Sequence, residues 1–177
     1  MKKFCISLAL LSIIFVTVIA GTTYKQNSAE YLRIHIRANS NSQIDQQVKY
    51  SVKEALVSYL TPFVAECSNY DSAIKTLVEQ KPALEKVADK VLYENGFDYR
   101  CEIVVRNELF PTRVYGDFTL EEGFYDALIV NLGEAQGDNW WCVVYPPLCF
   151  TGNQTQIKYK SKILEIIKEF ENRNNLK

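Results

Sequence analysis

The apolar run near the N-terminus is the feature that most constrains this chain. Lys2 and Lys3 precede residues 4–20, which are apolar except for three hydroxyl side chains. A short basic segment followed by such a run, ending in small residues, is typical of a secretory signal peptide. We expect cleavage after Ala20, which removes residues 1–20 from the fold. The alternative is an uncleaved membrane anchor, because the run lies at the lower end of the roughly 17 to 25 residues that span a bilayer.

In both cases we expect the rest of the chain to leave the cytoplasm, because the two lysines before the run favour the inside. Residues 21–30 are polar and predict a spacer. The remaining length suits one domain with its own core. The formal net charge of -1 argues against a nucleic-acid partner, which requires a basic surface. We expect contact with the membrane only through the leader.

The first half of the domain has a clear periodicity. Residues 32–37 alternate between apolar and polar side chains, which predicts a strand with one buried face. A helical stripe of apolar residues predicts a helix over about 43–60, ended by Pro62. Two shorter helices follow in the prediction, the second beginning at Pro82 and ended by Gly96.

The second half predicts strands. Alternation returns at residues 99–106, and two apolar, β-rich runs cover 124–132 and 140–145. The glycine-containing segment 133–139 predicts a hairpin that joins these two runs. One strand, three helices and several strands predict an α+β fold with helices on one face of a mostly antiparallel sheet. Residues 151–177 predict an amphipathic helical tail, which either docks on the domain or extends from it.

The cysteines of the exported part are Cys67, Cys101, Cys142 and Cys149, an even number for an oxidising compartment. Three complete pairings are possible. Cys142 and Cys149 enclose two consecutive prolines that stiffen a short turn, so we predict a local disulfide between them. The alternative is a pair of buried free thiols.

Catalytic chemistry has few candidates in this sequence. The single histidine, His35, belongs to the predicted outward set of the first strand. A cysteine hydrolase would pair it with Cys142 or Cys149, but a bridge explains both cysteines better. No cysteine or histidine spacing suits zinc, and glycine-rich phosphate loops are absent from the sequence. We therefore predict a protein that is not an enzyme and has no metal or cofactor. The alternative is an exported, cell-wall-associated Cys/His hydrolase.

Aromatic residues and prolines concentrate in two segments, 110–116 and 139–150. Trp, Tyr and Arg are the side chains that most often anchor protein interfaces. We predict that these segments contact a partner protein. The predicted contact residues are Phe110, Pro111, Arg113, Tyr115, Trp140, Trp141, Pro146, Pro147, Leu148 and Phe150. Trp140 and Trp141 are adjacent on a predicted strand and point to opposite faces, so at least one of them belongs to the core.

Three segments in this order resemble the stage II sporulation protein R family. They are the opening strand with the start of the helix, the F-P-T-R segment, and the W-W-C to P-P-L-C-F segment. The residues that carry the resemblance are Leu32, Arg33, Ile34, His35, Ile36, Ala38, Asn39, Ser40, Ser42, Asp45, Gln46, Val48 and Lys49; Phe110, Pro111, Thr112, Arg113, Tyr115 and Gly116; and Asn139, Trp140, Trp141, Cys142, Val143, Pro146, Pro147, Leu148, Cys149 and Phe150. The resemblance covers about residues 31–150, with a leader in front.

The resemblance implies a signalling role in sporulation. Proteins of this family are secreted from the forespore into the space between the two membranes. There they activate a membrane-embedded aspartic protease, which then processes the precursor of the mother-cell sigma factor. Two departures stand out: Arg37 occupies a position where a small or apolar residue is expected, and the tail after Phe150 lies outside the shared core. A purely structural envelope protein is a third reading of the sequence.

Overall fold

The computed structural model describes residues 31–115, 118–150 and 157–175. The predicted signal peptide, the predicted spacer and the first residues of the predicted tail lie outside these ranges. Within the described ranges, the helices are too short or too polar to cross a membrane.

The fold is α+β, as the sequence predicts. The described elements are, in chain order, β1 (Leu32–Arg37), α1 (Gln43–Val64), α2 (Tyr70–Glu94), β2 (Cys101–Phe110), β3 (Arg113–Tyr115), β4 (Phe118–Leu120), β5 (Gly123–Leu132), β6 (Asn139–Tyr145), a 3₁₀ turn (Leu148–Phe150) and α3 (Ile157–Asn175). Four strands form the main sheet in the order β2-β5-β1-β6, and β3 pairs with β4 separately. In the main sheet β1 runs parallel to β5 and antiparallel to β6, and β2 runs antiparallel to β5.

The predicted hairpin between β5 and β6 is wrong, because β1 lies between these two strands. The connecting segment instead crosses the end of β1 and is held by the residues that follow that strand. The amide of Glu134 donates to the Asn39 side-chain oxygen at 2.9 Å, and the amide of Gly137 donates to the Ala38 carbonyl at 2.9 Å. A Cβ at Gly137 would lie 2.2 Å from the Ser40 carbonyl oxygen. This close backbone approach requires glycine and directs the chain over β1.

Ser42 is the N-cap of helix α1, and its side chain accepts a hydrogen bond from the Asp45 amide. The prediction that Pro62 ends this helix is wrong, since α1 continues to Val64. Proline removes one backbone hydrogen bond from a helix. The final turn nevertheless buries Leu60 and Val64 completely or nearly so. Burial of these two apolar side chains offsets the loss of the hydrogen bond.

Helix α2 is continuous from Tyr70 to Glu94, so the predicted division at Pro82 is also wrong. Pro82 lies on the exposed side of the helix, where water solvates the carbonyl that loses its partner. The buried stripe continues through Leu77 and Leu84 on either side of it. The helix ends before Gly96, which has a φ of 80°, as the sequence predicts.

Helices α1 and α2 cover one face of the sheet. The buried residues of this helix-side core include Ile34 and Ile36 from β1, with Leu128 and Val130 from β5. Ile163 of α3 joins the same core. The tail helix therefore docks on the domain, which decides between the two alternatives that the sequence left open.

Candidate partner-contact site

The face of the sheet opposite the helices has a different composition. The alternation of β1 directs Arg33, His35 and Arg37 to this face. The sequence predicts that these side chains point outward, away from the helices. Arg33 has no exposed surface, however, and His35 is only 5% exposed. Other parts of the chain must therefore cover this second face.

The cover comes from the distal end of the β2–β5 pair. These strands pair as far as Phe110 and Gly123, and the chain beyond them forms the β3–β4 hairpin. We call residues 111–115 and 118–122 the flap. Arg33 donates from Nη2 to the Tyr115 hydroxyl at 2.7 Å, and the Arg113 guanidinium lies 4.1 Å from the centre of the Trp141 ring. The flap therefore folds back across β1 and β6.

Arg33 lies inside an aromatic enclosure beneath the flap. Its guanidinium carbon is 4.2 Å from the ring centre of Phe110, 4.9 Å from that of Tyr125 and 5.8 Å from that of Tyr115. Its Nε and Nη1 atoms have no hydrogen-bond partner within the described ranges. Burial lowers the pKa of Arg33, while the charge and hydrogen bond of Tyr115 oppose this change. Arginine remains charged in proteins, so a partly unsatisfied cation is enclosed here.

His35 belongs to a neighbouring polar network. Its Nδ1 atom lies 2.7 Å from Oε1 of Glu108, and the same oxygen accepts a 2.7 Å hydrogen bond from Arg37. The other carboxylate oxygen of Glu108 accepts a hydrogen bond from Arg106 at 2.6 Å. Burial raises the pKa of Glu108, but the hydrogen bonds from Arg106 and His35 outweigh it and hold the pKa below its ordinary value. Arg37, unexpected from the family resemblance, is thus part of an ion pair.

The imidazole of His35 also packs against aromatic rings. It stacks on Trp141 with 5.3 Å between ring centres, and Phe110 meets its edge at 5.7 Å. Burial lowers the pKa of His35, while the hydrogen bond to Glu108 acts in the opposite direction. Its Nε2 atom is buried with no hydrogen-bond partner in the described part of the chain. The histidine thus lies within a packed layer, behind the outer surface of the face.

The structure brings some predicted contact residues together and separates others. Arg113 of the first segment contacts Trp141 of the second, Tyr115 binds Arg33 on the same face, and all three predicted contact residues are half-buried. Pro111, at the base of the flap, is also half-buried. Phe110 is completely buried under the flap. It supports this surface and does not form part of it, which corrects the prediction for Phe110.

The rest of the second segment lies on the helix side of the sheet. Trp140 and Leu148 are half-buried and pack against the helix-side core. Phe150, Pro146 and Pro147 are buried. The prediction that these three side chains contact a partner directly needs correction, because the surrounding core occupies their surfaces. These three residues follow β6, and the 3₁₀ turn after the strand packs against the helix-side core through Leu148 and Phe150.

The structure joins Cys142 and Cys149 in a disulfide with 6.2 Å between their Cα atoms. Cys142 lies in the helix-side core, whereas His35 lies on the opposite face. Cys67 and Cys101 are free, buried and also on the helix side. The structure thus does not assemble the Cys/His pair that a hydrolase would need. No cluster of metal-ligating side chains occurs in the described ranges.

The segment that carries this face matches known proteins. Residues 28–155 match the family model for stage II sporulation protein R. The chain belongs to the stage II sporulation protein R family. The stage II sporulation protein R of Bacillus subtilis (strain 168) is 32% identical over 119 residues, which are 67% of this chain and 53% of that relative. The chain therefore matches about half the length of its curated relative.

No solved structure matches this chain. The stage II sporulation protein R match includes all the strands of the main sheet and the flap, and ends before α3. The chain is therefore a sporulation protein by family. The matched range contains all the strands that form the candidate site.

Sequence reasoning missed two parts of this candidate site. Glu108 and Tyr125 received no role, although Glu108 binds three residues and Tyr125 encloses Arg33. A signal was present in the opening strand, where charged or ionisable residues occupy every second position from Arg33 to Arg37. Such a row on a central strand requires partners on neighbouring strands.

Proposed function

We propose that this protein is an exported signalling protein of sporulation that activates a membrane-embedded aspartic protease. The active protease would then process the precursor of the mother-cell sigma factor. In this proposal the protein is secreted from the forespore into the intermembrane space, either free or held by its N-terminus. The observation that carries the proposal is the flap-covered face, which lies within the segment matched to the family and offers contact residues without an assembled catalytic pair.

The outer layer of this face has the chemistry of an interface anchor. Arg113, Tyr115 and Trp141 are half-buried side chains that combine large area with polar groups. Val114 lies between two of them along the flap and is 67% exposed. An exposed aliphatic group beside arginine and aromatic rings suits the centre of a protein contact. We propose that the protease binds here.

Activation requires a difference in affinity. A ligand shifts a two-state protease only if it binds the active state more tightly than the inactive state. A 100-fold preference corresponds to about 2.7 kcal/mol. A contact of a few anchoring side chains provides free energy of this size.

The test is co-expression of the full chain with the protease and the sigma-factor precursor in a non-sporulating cell, with precursor cleavage scored by immunoblot. We expect cleavage to depend on the chain and on its leader. Arg113→Ala should reduce cleavage at least about fivefold, because truncation of an interface anchor costs more than about 1 kcal/mol. Equal cleavage with and without the chain would reject the proposal.

Arg100→Ala is the matched control. Arg100 is an arginine with an 84% exposed side chain that pairs with Asp89 of α2, away from the flap. Its loss should leave cleavage unchanged. His35→Ala addresses the alternative of an exported cell-wall-associated hydrolase, which would lose all activity towards cell-wall material. Among the described residues no contact favours that alternative, since His35 lies on one face of the sheet and Cys67, Cys101, Cys142 and Cys149 lie on the other.

A further inference from the structure

The strongest unexplained feature of the molecule is the electrostatic imbalance beneath and around the flap. Arg33, Arg37, Arg106 and Arg113 converge on this face. Glu108 shares its carboxylate between Arg37 and Arg106. Within the described ranges, no ion pair involves Arg33 or Arg113. Two arginines are therefore left without a carboxylate.

Arg33 is the more unusual of the two because it is fully buried. One of its nitrogen atoms binds Tyr115, while Nε and Nη1 find no acceptor in the described part of the chain. A buried donor without a partner costs about 1 to 3 kcal/mol, and more when it is charged. The neighbouring Nε2 of His35, two residues along the same strand face, is also buried and unpaired. Three buried polar atoms on this face of β1 therefore have no hydrogen-bond partner in the described part of the chain.

The cover is held by contacts that a ligand can replace. The Tyr115 hydroxyl accepts one hydrogen bond from Arg33. Arg113 contributes a stacking contact on Trp141, which is worth about 0.5 to 1 kcal/mol at an exposed site. Closure also brings the cation of Arg113 near that of Arg33, and this lowers the pKa of Arg33 further. A negative group between the two would relieve their repulsion.

We propose that the aromatic enclosure of Arg33 beneath the flap becomes a carboxylate-binding site, in which Arg33 receives an aspartate or glutamate side chain of the protein partner when the flap lifts. The fork of an arginine side chain matches a carboxylate with two parallel hydrogen bonds. On Arg33 the parallel donor pairs are Nε with Nη2 and Nη1 with Nη2, so a carboxylate bound in this way takes the place of the Tyr115 hydroxyl on Nη2. The inference deepens the proposed function and rests on it only for the identity of the partner.

The occupant follows from charge and access. Arg33 has no exposed surface, so a carboxylate must compete with Tyr115 for it, and an isolated glutamate side chain binds weakly. A glutamate on a protein that also contacts Arg113 and Val114 gains affinity from the surrounding interface. The flap then acts as a latch: it keeps the charged group covered in the free protein and opens when an acidic partner engages it.

The test uses two short peptides, acetyl-Gly-Glu-Gly-amide and its uncharged counterpart acetyl-Gly-Gln-Gly-amide. Each is titrated into ¹⁵N-labelled protein recovered after export, and the side-chain N–H signals of Arg33 and Trp141 are followed by NMR. We expect the glutamate peptide to shift both signals in a saturable way and the glutamine peptide to leave them unchanged. Equal shifts from both peptides, or no shift from either, would overturn the proposal; the latter result would mean that enclosed water alone serves the donors.

Two variants and one control sharpen the titration. Arg33→Met should abolish the glutamate-dependent shift of Trp141. Tyr115→Phe should bind the glutamate peptide about tenfold more tightly, because the lost hydrogen bond raises the fraction of open flap. It also keeps the test valid should Arg33→Met not fold. Arg100→Ala should behave as wild type. Unchanged affinity in Tyr115→Phe would show that the flap is not a latch.

The peptide titration tests the carboxylate site and the cleavage assay tests the proposed function, so a negative result in one leaves the other standing. If the glutamate peptide binds but the chain does not promote cleavage, the carboxylate site stands and the proposed function falls. If cleavage depends on the chain but the peptide does not bind, the reverse holds. In that second case the partner contacts only the outer surface of the closed flap.

Discussion

The two faces of the main sheet are built from the same strands and have opposite physical characters. On β1, Ile34 and Ile36 enter an apolar core under two helices, whereas Arg33 and His35 enter a layer of aromatic rings and shared charges under the flap. The apolar side chains gain free energy from burial. The buried arginine opposes folding unless its donors are satisfied. The helix-covered face therefore accounts for most of the stability. The flap-covered face contains buried polar side chains, Arg33 and His35, whose presence a need for stability does not explain.

The comparison is tested most directly by two substitutions on the same strand. Ile36→Ala should lower the free energy of unfolding by about 2 to 5 kcal/mol, since Ile36 is fully buried in the helix-side core. Arg33→Met should leave it unchanged within about 1 kcal/mol or raise it, because an apolar side chain of similar length removes an unsatisfied charge. Urea unfolding measures both values.

Ile44→Ala is the control for Ile36→Ala, because Ile44 has a 63% exposed side chain on α1. It should change the free energy of unfolding by less than about 0.5 kcal/mol. A loss of several kcal/mol in Arg33→Met would break the comparison. Arg33 would then be a structural residue satisfied by bound water.

The disulfide gives the next largest effect on the helix side. It ties β6 to the 3₁₀ turn that packs against the helix-side core. Replacing both Cys142 and Cys149 by serine should lower the free energy of unfolding by roughly 2 to 3 kcal/mol, the loop-closure value for so short a loop. Urea unfolding with and without dithiothreitol measures this loss. The reductant should bring wild type close to the variant and leave the variant unchanged; insensitivity of wild type would contradict a stabilising bridge.

His35 on the flap-covered face should make the stability of the protein depend on pH near neutrality. Burial lowers the pKa of His35, so the unfolded chain, with an ordinary pKa of about 6.5, binds more protons as the pH falls. Stability should therefore decrease from pH 7.5 to pH 5.5 in wild type. It should be nearly flat in His35→Gln, since this is the only histidine of the chain. Urea unfolding at the two pH values provides the measurement.

The opposite result would also be informative. If acidification stabilises wild type, the contact with Glu108 dominates over burial and the folded pKa of His35 is raised. Glu108 itself does not interfere with this test, because its pKa is held below the ordinary value and it stays ionised throughout the range.

Local patterns in the sequence predict the helix-covered face well. The alternation of residues 32–37 identifies β1 and assigns its apolar side chains to the core, as the structure confirms. The short spacing of Cys142 and Cys149 identifies the pair that the structure joins. Both predictions depend on residues close together in the chain. The continuity of α1 and α2 through prolines was missed because burial of distant side chains outweighs the local preference.

Long-range pairing explains the other errors. The segment between β5 and β6 reads as a hairpin turn, and nothing within it reveals that β1 inserts between the two strands. The position of the flap was also not predicted, because it depends on a long-range contact: Arg33 and Tyr115 are 82 positions apart in the sequence. The composition of the two aromatic segments therefore predicts an unusual surface. Which of their residues lie on each face of the sheet follows only from the strand pairing.

Loss of the outermost contact on the flap-covered face should change stability little, and it separates folding from function most clearly. Arg113→Ala removes a cation that stacks on Trp141, so the free energy of unfolding should fall by no more than about 0.5 to 1 kcal/mol. The same variant should lose most of the sigma-factor cleavage in the co-expression assay, whereas Ile36→Ala, if it still folds, should lose cleavage only in proportion to its lower abundance. Urea unfolding and immunoblots of both variants decide the matter. A loss above about 2 kcal/mol in Arg113→Ala would mean that the flap is a structural element of the fold, and the division of labour between the two faces would not hold.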